Sequence, residues 1–431
     1  MKGGSSLGER LDAICSALTA ANRAVAARYP GEPADVQPVH TVYGGAHLFT
    51  ADVVARMRTA ALKAFDDYAP DAATLASAFA IEPALAERLR PLVARKLETS
   101  PVEDFRIDFE DGFGHRPDAE EDRWAEQAAD EVAAAASRGT LPAGIGIRIK
   151  TLNDELKHRS LRTLDLFLTR LIMRTGGSLP AGFAITLPKI TSPEQVEALA
   201  AACETIEAHA GLTPGLLRIE LMVETTQSIV AADGRIALPA LVAAGQGRVS
   251  GAHFGTYDYT AGLAITAAHQ HMGHPACDFA KHVMQVALAG TPVRLSDGAT
   301  NIMPIGPHRA AAGATLTEAQ RQENAAVVHR AWRRHAADIR HSLTTGFYQG
   351  WDLHPAQLPS RYVAVFQFFL EGLAPAAERL QNFVAKAAQA TLVGDVFDDA
   401  ATGQGLLNYF LRAMNCGALS EDDAVSLSGL T

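Results

Sequence analysis

Three apolar runs in this chain end in acidic residues, and carboxylates are side chains that hold hard cations and transfer protons. The runs are FRIDFED at 105–111, RIELMVET at 218–225 and SGAHFGTYD at 250–258. Each run predicts a buried strand that ends in carboxylates. Glu224 and Asp258 end two successive runs, so we predict that they bind Mg²⁺, with Mn²⁺ as the alternative, since hard divalent ions take oxygen ligands. Capping of a helix is the commoner role for one such residue alone, but the pair favours metal.

Cations follow two further apolar runs. Arg148 and Lys150 end GIGIRIK, and Lys189 ends TLPK. The first run ends in a dense acidic group, Asp108, Glu110 and Asp111, and these cations complement its charge. Buried carboxylates require cationic partners, and interleaved charges of both signs suit an anionic substrate. A salt-bridge network that only closes the end of the fold is the alternative.

Other reactive residue types form no convincing motif. The histidines of HQHMGH, at 269–274, match no zinc-ligand spacing, so we predict a loop there. The four cysteines are scattered without a CxxC pair, which predicts ordinary apolar residues. No predicted strand is followed by a GxSxG nucleophile elbow or by a glycine-rich nucleotide motif.

Short apolar segments alternate with helical patterns along the chain. Helices are predicted at 119–138 and at 193–211, the latter with Ser192 and Gln195 at capping-box spacing. Eight segments rich in Val, Ile and Phe are predicted as buried parallel strands, at 39–43, 105–109, 145–149, 183–187, 219–223, 249–254, 293–295 and 346–353. The alternation predicts an α/β fold, a (β/α)8 TIM barrel in preference to an open sheet, with active-site residues at the carboxyl ends of the strands.

Two extensions and one insertion surround the predicted barrel. Residues 1–37 form an N-terminal helical extension with an amphipathic helix at 11–29. The barrel covers 38–355 and includes a helical insertion at about 71–98. Residues 356–431 form a C-terminal helical extension, broken at 393–399, which we expect to pack on the barrel or on a neighbouring subunit.

Bulk composition excludes several classes of partner. The formal net charge is −10, which disfavours nucleic acid and anionic membranes as binding partners. No apolar run approaches the length of a membrane span, and the N-terminus lacks a signal-peptide core. We therefore expect a soluble, cytoplasmic protein.

At these motifs the chain resembles the HpcH/HpaI aldolase and citrate lyase family, which includes malyl-CoA lyases. IDFEDGF resembles the family's D-L-E-D-A-V, IRIK its R-V-N, and TLPKI its L-P-K-V. VETTQSI is similar to E-T-A-x-G-I, HFGTYDYTAGL to F-G-x-x-D-L-x-x-D-L, and GWDLHPAQL to G-x-x-x-I-H-P-x-Q. The six motifs follow in the family's order over most of residues 38–405.

The resemblance implies a TIM barrel that is usually oligomeric, with Mg²⁺ on the residues matching Glu224 and Asp258. It implies that Arg148 grips the substrate and stabilises an enolate. In malyl-CoA lyases a C-terminal aspartate enters the active site of an adjacent subunit, and FDDAATGQ places Asp398 and Gln404 at the matching positions.

We therefore expect a Mg²⁺-dependent carbon–carbon lyase that cleaves or forms a bond next to a carbonyl through the metal-stabilised enolate of a 2-oxo acid. The predicted catalytic residues are Arg148, Asp111 and Asp398. The predicted substrate-binding residues are Glu110, Lys189, Gly255, Thr256 and Tyr257, the last three through backbone amides. The expected partners are a small 2-oxo acid or hydroxy acid and further copies of the chain in a homo-oligomer.

Two alternatives remain open. The first is a malyl-CoA lyase or malate synthase-like enzyme that acts on a CoA thioester, and the second is a non-catalytic barrel subunit. The family's first strand, L-F-x-P-G-x-R, has an arginine that contacts CoA, whereas this chain has TVYGGAHL at 41–48. This departure favours a substrate without CoA, although Arg56, Arg58 or a neighbouring subunit could supply the missing cation.

Overall fold

Eight parallel strands form the centre of the computed structural model, which describes residues 7–429 apart from 9, 32, 34, 312, 386–390, 394, 395 and 399. Side chains are not described at 391–401. The strands are β1 His40–Gly45, β2 Asp104–Asp108, β3 Gly144–Arg148, β4 Ala184–Leu187, β5 Arg218–Val223, β6 Val249–Phe254, β7 Arg294–Ser296 and β8 Gly350–Asp352. Each overlaps one of the eight predicted strands.

The sheet closes on itself. Its order is β7-β6-β5-β4-β3-β2-β1-β8, and each neighbouring pair is parallel. Between β7 and β8, the Asp297 N–H donates to the Gln349 carbonyl at 2.8 Å and the Trp351 N–H donates to the Gly298 carbonyl at 3.0 Å. The fold is therefore a (β/α)8 TIM barrel, as the sequence predicted.

Sixteen α-helices surround or extend the barrel in the part of the chain that the structure describes. They are α1 Arg10–Arg28, α2 Val53–Tyr68, α3 Ala72–Phe79, α4 Pro83–Thr99, α5 Asp118–Arg138, α6 Lys157–Arg174, α7 Pro193–Ala210, α8 Thr226–Ile229, α9 Leu238–Ala244, α10 Thr256–Gly262, α11 Pro275–Leu288, α12 Glu318–Thr344, α13 Leu358–Glu371, α14 Leu373–Ala385, α15 Ala400–Cys416 and α16 Glu421–Ser428. An antiparallel hairpin, β9 Thr391–Val393 and β10 Val396–Asp398, separates α14 from α15. Among the described residues, none of the helices is both long and apolar enough to span a bilayer.

The insertion between β1 and β2 differs in detail from the predicted single helical stretch. Two helices, α3 and α4, occupy it because the chain turns at Ala80, which has a left-handed φ of 54°. The Asp71 carboxylate caps α3 by accepting the Thr74 N–H at 2.7 Å. At α7 the predicted capping box is wrong: Ser192 makes no side-chain cap, and the Gln195 side chain accepts the Thr191 N–H at 2.8 Å instead.

Alternation along the strands decides which side chains meet inside the barrel. Side chains on one face of each strand, such as Ile107 on β2, are fully buried in the main hydrophobic core. The next residue along each strand points the other way. The strand register pairs Asp108 on β2 with Arg148 on β3. The same row continues through Thr186 on β4 to Glu220 on β5. Apolar side chains therefore stabilise the outer layer, while charged side chains fill the inside.

Candidate active site

Arg148, at the carboxyl end of β3, is held by Asp108 at the end of β2. Its Nε and Nη2 donate to the two Asp108 oxygens at 2.7 and 2.5 Å, a bidentate arrangement that orients the guanidinium. The backbone N–H groups of Glu110 and Gly112 donate to the same carboxylate at 2.9 and 2.7 Å. Although burial opposes ionisation, Arg148 and these amides lower the pKa of Asp108 below its ordinary value. Both partners are therefore charged and fixed in position.

The remaining nitrogen of Arg148 faces further acids and an aromatic ring. Nη1 lies 3.3 Å from Glu110 Oε2 and 3.9 Å from Asp111 Oδ2. The guanidinium carbon lies 5.0 Å from the centre of the Tyr43 ring, within cation–π range. Tyr43 is buried, and its hydroxyl has no hydrogen-bond partner among the described residues. Sequence analysis missed Tyr43, for which the only signal was a hydroxyl near the end of the first strand.

Lys189 joins the acids of three different strand ends. It follows β4 and has a left-handed φ of 51°, which is uncommon for a residue other than glycine. Its Nζ forms an ion pair with Glu110 and lies 3.3 Å from Asp111 and 3.5 Å from Asp258. Although burial lowers the pKa of Lys189, the carboxylates of Glu224 and Glu110 raise it above its ordinary value. The ammonium group is therefore a permanent cation at the centre of the rim.

Glu224 is the most deeply buried acid in this group after Asp108. Its Oε1 accepts the Lys189 backbone N–H at 2.8 Å. Burial raises the pKa of Glu224 to about 8; Asp258 adds to the rise, whereas Lys189 opposes it. A Cβ atom at Gly255 would lie 2.5 Å from both Cβ and Oε2 of Glu224. The glycine therefore allows β6 to end directly against this carboxyl group.

A cavity of about 380 Å³ opens at this rim. Lys189, Glu224 and Asp258 lie in its wall. The other polar side chains that line it are uncharged: Thr151, Asn153, Thr191, Gln195, Thr225, Thr226 and Gln227. The sequence analysis did not find them, because hydroxyl and amide side chains in loops have no local pattern that indicates a site. The size and the lining of the cavity suit a small polar ligand.

The rim holds more negative than positive charge. Two cations, Arg148 and Lys189, share five carboxylates, those of Asp108, Glu110, Asp111, Glu224 and Asp258. This excess, and the raised pKa of Glu224 beside Asp258, fit a divalent cation held by those two residues. In the described part of the chain, no three or more His, Cys, Asp or Glu side chains converge as a metal site. A cation on the pair would therefore take its other ligands from water and substrate.

Lys150 and the predicted histidine loop lie away from this group. Lys150 Nζ donates to the Phe109 carbonyl at 2.5 Å and pairs with Glu121 at 2.9 Å. Glu121 lies on α5 and is buried, so the pair joins that helix to the barrel. In the loop, His274 Nδ1 accepts the Ala276 N–H at 3.1 Å and caps α11. These residues have structural contacts that account for their positions.

The three predicted backbone donors are not equivalent. The Gly255 N–H donates to the Val223 carbonyl at 3.0 Å, so it is not free for a substrate. Thr256 and Tyr257 begin α10, where the first amides of a helix lack intrahelical acceptors. The Tyr257 hydroxyl donates to the Ala299 carbonyl at 2.9 Å, which fixes the residue to the loop after β7. The substrate-binding role of the Thr256 and Tyr257 amides stays a prediction.

The predicted C-terminal pair is only partly described. Asp398 ends β10, and its side chain lies outside the described residues. Gln404 lies on α15, is exposed, and donates to Asn408 at 3.0 Å. The role of Asp398 stays a prediction.

A larger cavity, of about 770 Å³, lies at the opposite ends of the strands. There Arg106 donates to Glu220 at 2.9 and 2.5 Å and also pairs with Asp104. Although burial opposes ionisation, Arg106 holds the pKa of Glu220 well below its ordinary value. These interior carboxylates have a strong cationic partner, unlike Glu224. We therefore take the acidic rim at the carboxyl ends of the strands as the candidate site, the face that TIM barrels use for catalysis.

Together, the fold and the rim define a TIM-barrel protein with an acidic, cation-deficient site at the carboxyl ends of its strands. The chain belongs to the family described as a domain of unknown function (DUF6986), whose model matches residues 18–431. A comparison with curated proteins finds no match.

Two solved structures are similar to this chain. A citrate lyase from Burkholderia xenovorans LB400 has a TM-score of 0.57 at 19% sequence identity, with 91% of this chain and 96% of that chain covered. The protein CitE from Mycobacterium tuberculosis, in complex with magnesium, acetoacetate and coenzyme A, has a TM-score of 0.47 at 16% identity, with 88% and 98% covered. At such identity the likeness to the citrate lyase is one of fold, and it agrees with the fold that the sequence motifs implied.

Proposed function

We propose that this protein is a Mg²⁺-dependent carbon–carbon lyase that acts on a small 2-oxo acid. The observation that supports it most directly is the carboxyl pair of Glu224 and Asp258 around Lys189, with an oriented Arg148 in the same charged group. A solvated salt-bridge network would balance its charges, whereas this rim retains excess negative charge and a carboxyl with a pKa near 8. A non-catalytic barrel would have no need of that arrangement.

Glu224 and Asp258 would hold the metal, and Mn²⁺ could replace Mg²⁺ on the same oxygen ligands. A bound Mg²⁺ would act as a Lewis acid toward the carboxylate and keto oxygens of a 2-oxo acid. Lys189 would fix the two ligands in place, because its backbone N–H binds Glu224 and its Nζ lies 3.5 Å from Asp258. The amides of Thr256 and Tyr257 would bind the substrate carboxylate.

The proposed reaction cleaves the C3–C4 bond of a 4-hydroxy-2-oxo acid and needs only a base and a group that stabilises the enolate. A base removes the proton of the 4-hydroxyl group, the C3–C4 bond breaks, an aldehyde leaves, and the electron pair moves toward the C2 oxygen to form an enolate. Arg148 would stabilise that oxyanion, since a preorganised guanidinium requires no reorientation as the charge develops. Asp111, whose side chain is 60% exposed, or Asp398 would accept and return the proton.

The cavity lining favours a small polar acid over a CoA thioester. Lys189 is the one cation among its lining residues, whereas a thioester's diphosphate arm needs positive charge. Arg56 lies on α2 and is engaged with the segment before that helix, where it donates to the Leu48 carbonyl at 3.0 Å and to Thr50 at 2.9 Å. CoA thioesters nevertheless belong in the assay, because a neighbouring subunit would add cations.

Binding and turnover test the proposal separately. Calorimetry with Mg²⁺ and oxalate, a stable analogue of a 2-oxo acid enolate, should show binding that Asp258→Asn removes and that the matched surface variant Asp165→Asn retains. Turnover should then be assayed with 4-hydroxy-2-oxo acids, oxaloacetate and malyl-CoA-type thioesters. Absence of metal-dependent binding would refute the metal site, and turnover of thioesters alone would assign the protein to the CoA-dependent alternative.

A further inference from the structure

The N-terminal helix α1 presents a regular apolar stripe that the rest of the described chain leaves uncovered. The helix has 19 residues, and none of them is buried. Leu11, Ile14, Leu18 and Val25 are 42%, 48%, 56% and 58% exposed. The stability of a helix in a protein comes mainly from packing of its apolar face. The stripe therefore requires a partner.

The spacing of the stripe identifies the kind of partner. Leu11, Ile14, Leu18, Ala21 and Val25 are separated by alternating steps of three and four residues, which are the a and d positions of a heptad repeat. A 3.5-residue period keeps one seam facing another helix of the same period. The seam-flanking positions between Leu11 and Val25 are uncharged: Cys15, Ala17, Asn22 and Ala24. Another helix can therefore approach closely.

We propose that α1 pairs antiparallel with α1 of a second copy of this chain. In that arrangement each a position faces a d position, so Ile14 packs on Val25 of the partner subunit and Leu18 on Ala21 of the partner subunit. A large side chain thus meets a small one at the centre of the seam. By two-fold symmetry every contact occurs twice.

The charges of α1 favour this direction. Asp12 lies in the first turn and Arg28 in the last turn. An antiparallel pair brings Asp12 beside Arg28 of the partner subunit at both ends, and it also aligns the helix dipoles favourably. Arg28 occupies the next d position, so it faces Leu11 of the partner subunit in the antiparallel pair, whereas a parallel pair would place it against its own copy with like charges in contact.

The base of α1 is attached to the barrel, so pairing of α1 would join two barrels. The Gly31 N–H donates to the Gly290 carbonyl at 2.9 Å, and Arg294 pairs with Asp35 at 2.9 Å. Gly290 lies two residues past α11, whose Phe279 and Val286 are 57% and 76% exposed. The element beside this attachment point therefore also carries exposed apolar side chains.

Mass measurements of the full-length protein test the proposal. Leu18→Glu should lower the mass found by size-exclusion chromatography with light scattering by a factor of two. Ser16→Glu, which adds the same charge to the opposite face of α1, should leave the mass unchanged. The thermal unfolding of the barrel should be the same in both variants, because α1 buries no residue in its own chain. A monomeric wild type, or an unchanged mass in Leu18→Glu, would overturn the proposal.

Cross-linking tests the direction of pairing. In a Cys15→Ser background, protein with Ile14→Cys mixed with protein with Val25→Cys should form a disulfide-linked dimer under mild oxidation. Each variant oxidised alone should remain uncross-linked. Efficient self-cross-linking of Ile14→Cys would overturn the antiparallel arrangement in favour of a parallel one.

Discussion

The raised pKa of Glu224 predicts a stability cost that grows with pH in the metal-free protein. The folded-state pKa is about 8, against an ordinary value of 4.5, so the native state binds this proton more tightly than the unfolded state does. The contribution of this bound proton to the free energy of unfolding is fully present below pH 4.5 and is lost as the pH rises through 8. At about 1.36 kcal/mol per pH unit, the loss is roughly 3 kcal/mol at pH 7 and at most about 5 kcal/mol at pH 9.

Glu224→Gln removes the titration and keeps an oxygen for the Lys189 backbone N–H. We expect the variant to match the wild type near pH 4.5 and to exceed its stability progressively up to pH 8, with a plateau above. Urea unfolding in EDTA at pH 4.5, 6, 7, 8 and 9 measures the difference, and Glu98→Gln, at the exposed end of α4, is the matched control. A difference in stability that does not change with pH would refute the reasoning, because it would mean that Glu224 is ionised at no cost in the folded protein.

Four further changes test other parts of the site. Asp258→Asn should weaken Mg²⁺ binding more than about tenfold, the loss that even supporting residues of metal sites cause; unchanged affinity in calorimetry would remove it from the metal site. Arg148→Lys keeps the charge but loses the planar fork, so kcat should fall about a hundredfold, and near-normal turnover would assign the role elsewhere. Asp108→Asn leaves the Arg148 guanidinium buried without its partner and should cost roughly 3–5 kcal/mol in urea unfolding; a loss below about 1 kcal/mol would show that the pair is well solvated. Gly255→Ala should cost about 1–3 kcal/mol, since its Cβ would lie 2.5 Å from Glu224, and a neutral effect would mean that the strand end shifts freely.

Local patterns in the sequence were sufficient for the barrel and for much of its rim. Runs such as GIGIR, which becomes β3, are apolar, short and bounded by breakers, and this pattern depends only on neighbouring residues. Because all parallel strands end at one face, the charged residues that follow the runs had to gather there. The local pattern therefore predicts that Arg148, Glu224 and Asp258 lie at one face of the barrel.

Tertiary structure alone decided how these charges pair. Lys150 and Lys189 both follow predicted strands, yet Lys150 bonds to Glu121 on a helix, while Lys189 turns into the rim through a left-handed backbone conformation. The partner of a buried charge depends on which side chains approach within about 4 Å, and distance in space is not encoded by local spacing. The pKa of Glu224 depends on its burial and on Asp258, which is distant from it in the sequence. The contact between the buried Tyr43 ring and Arg148 also arises only from tertiary packing. The sequence by itself thus determined the barrel and its acidic face, and packing determined which acids form ion pairs with Arg148 and Lys189.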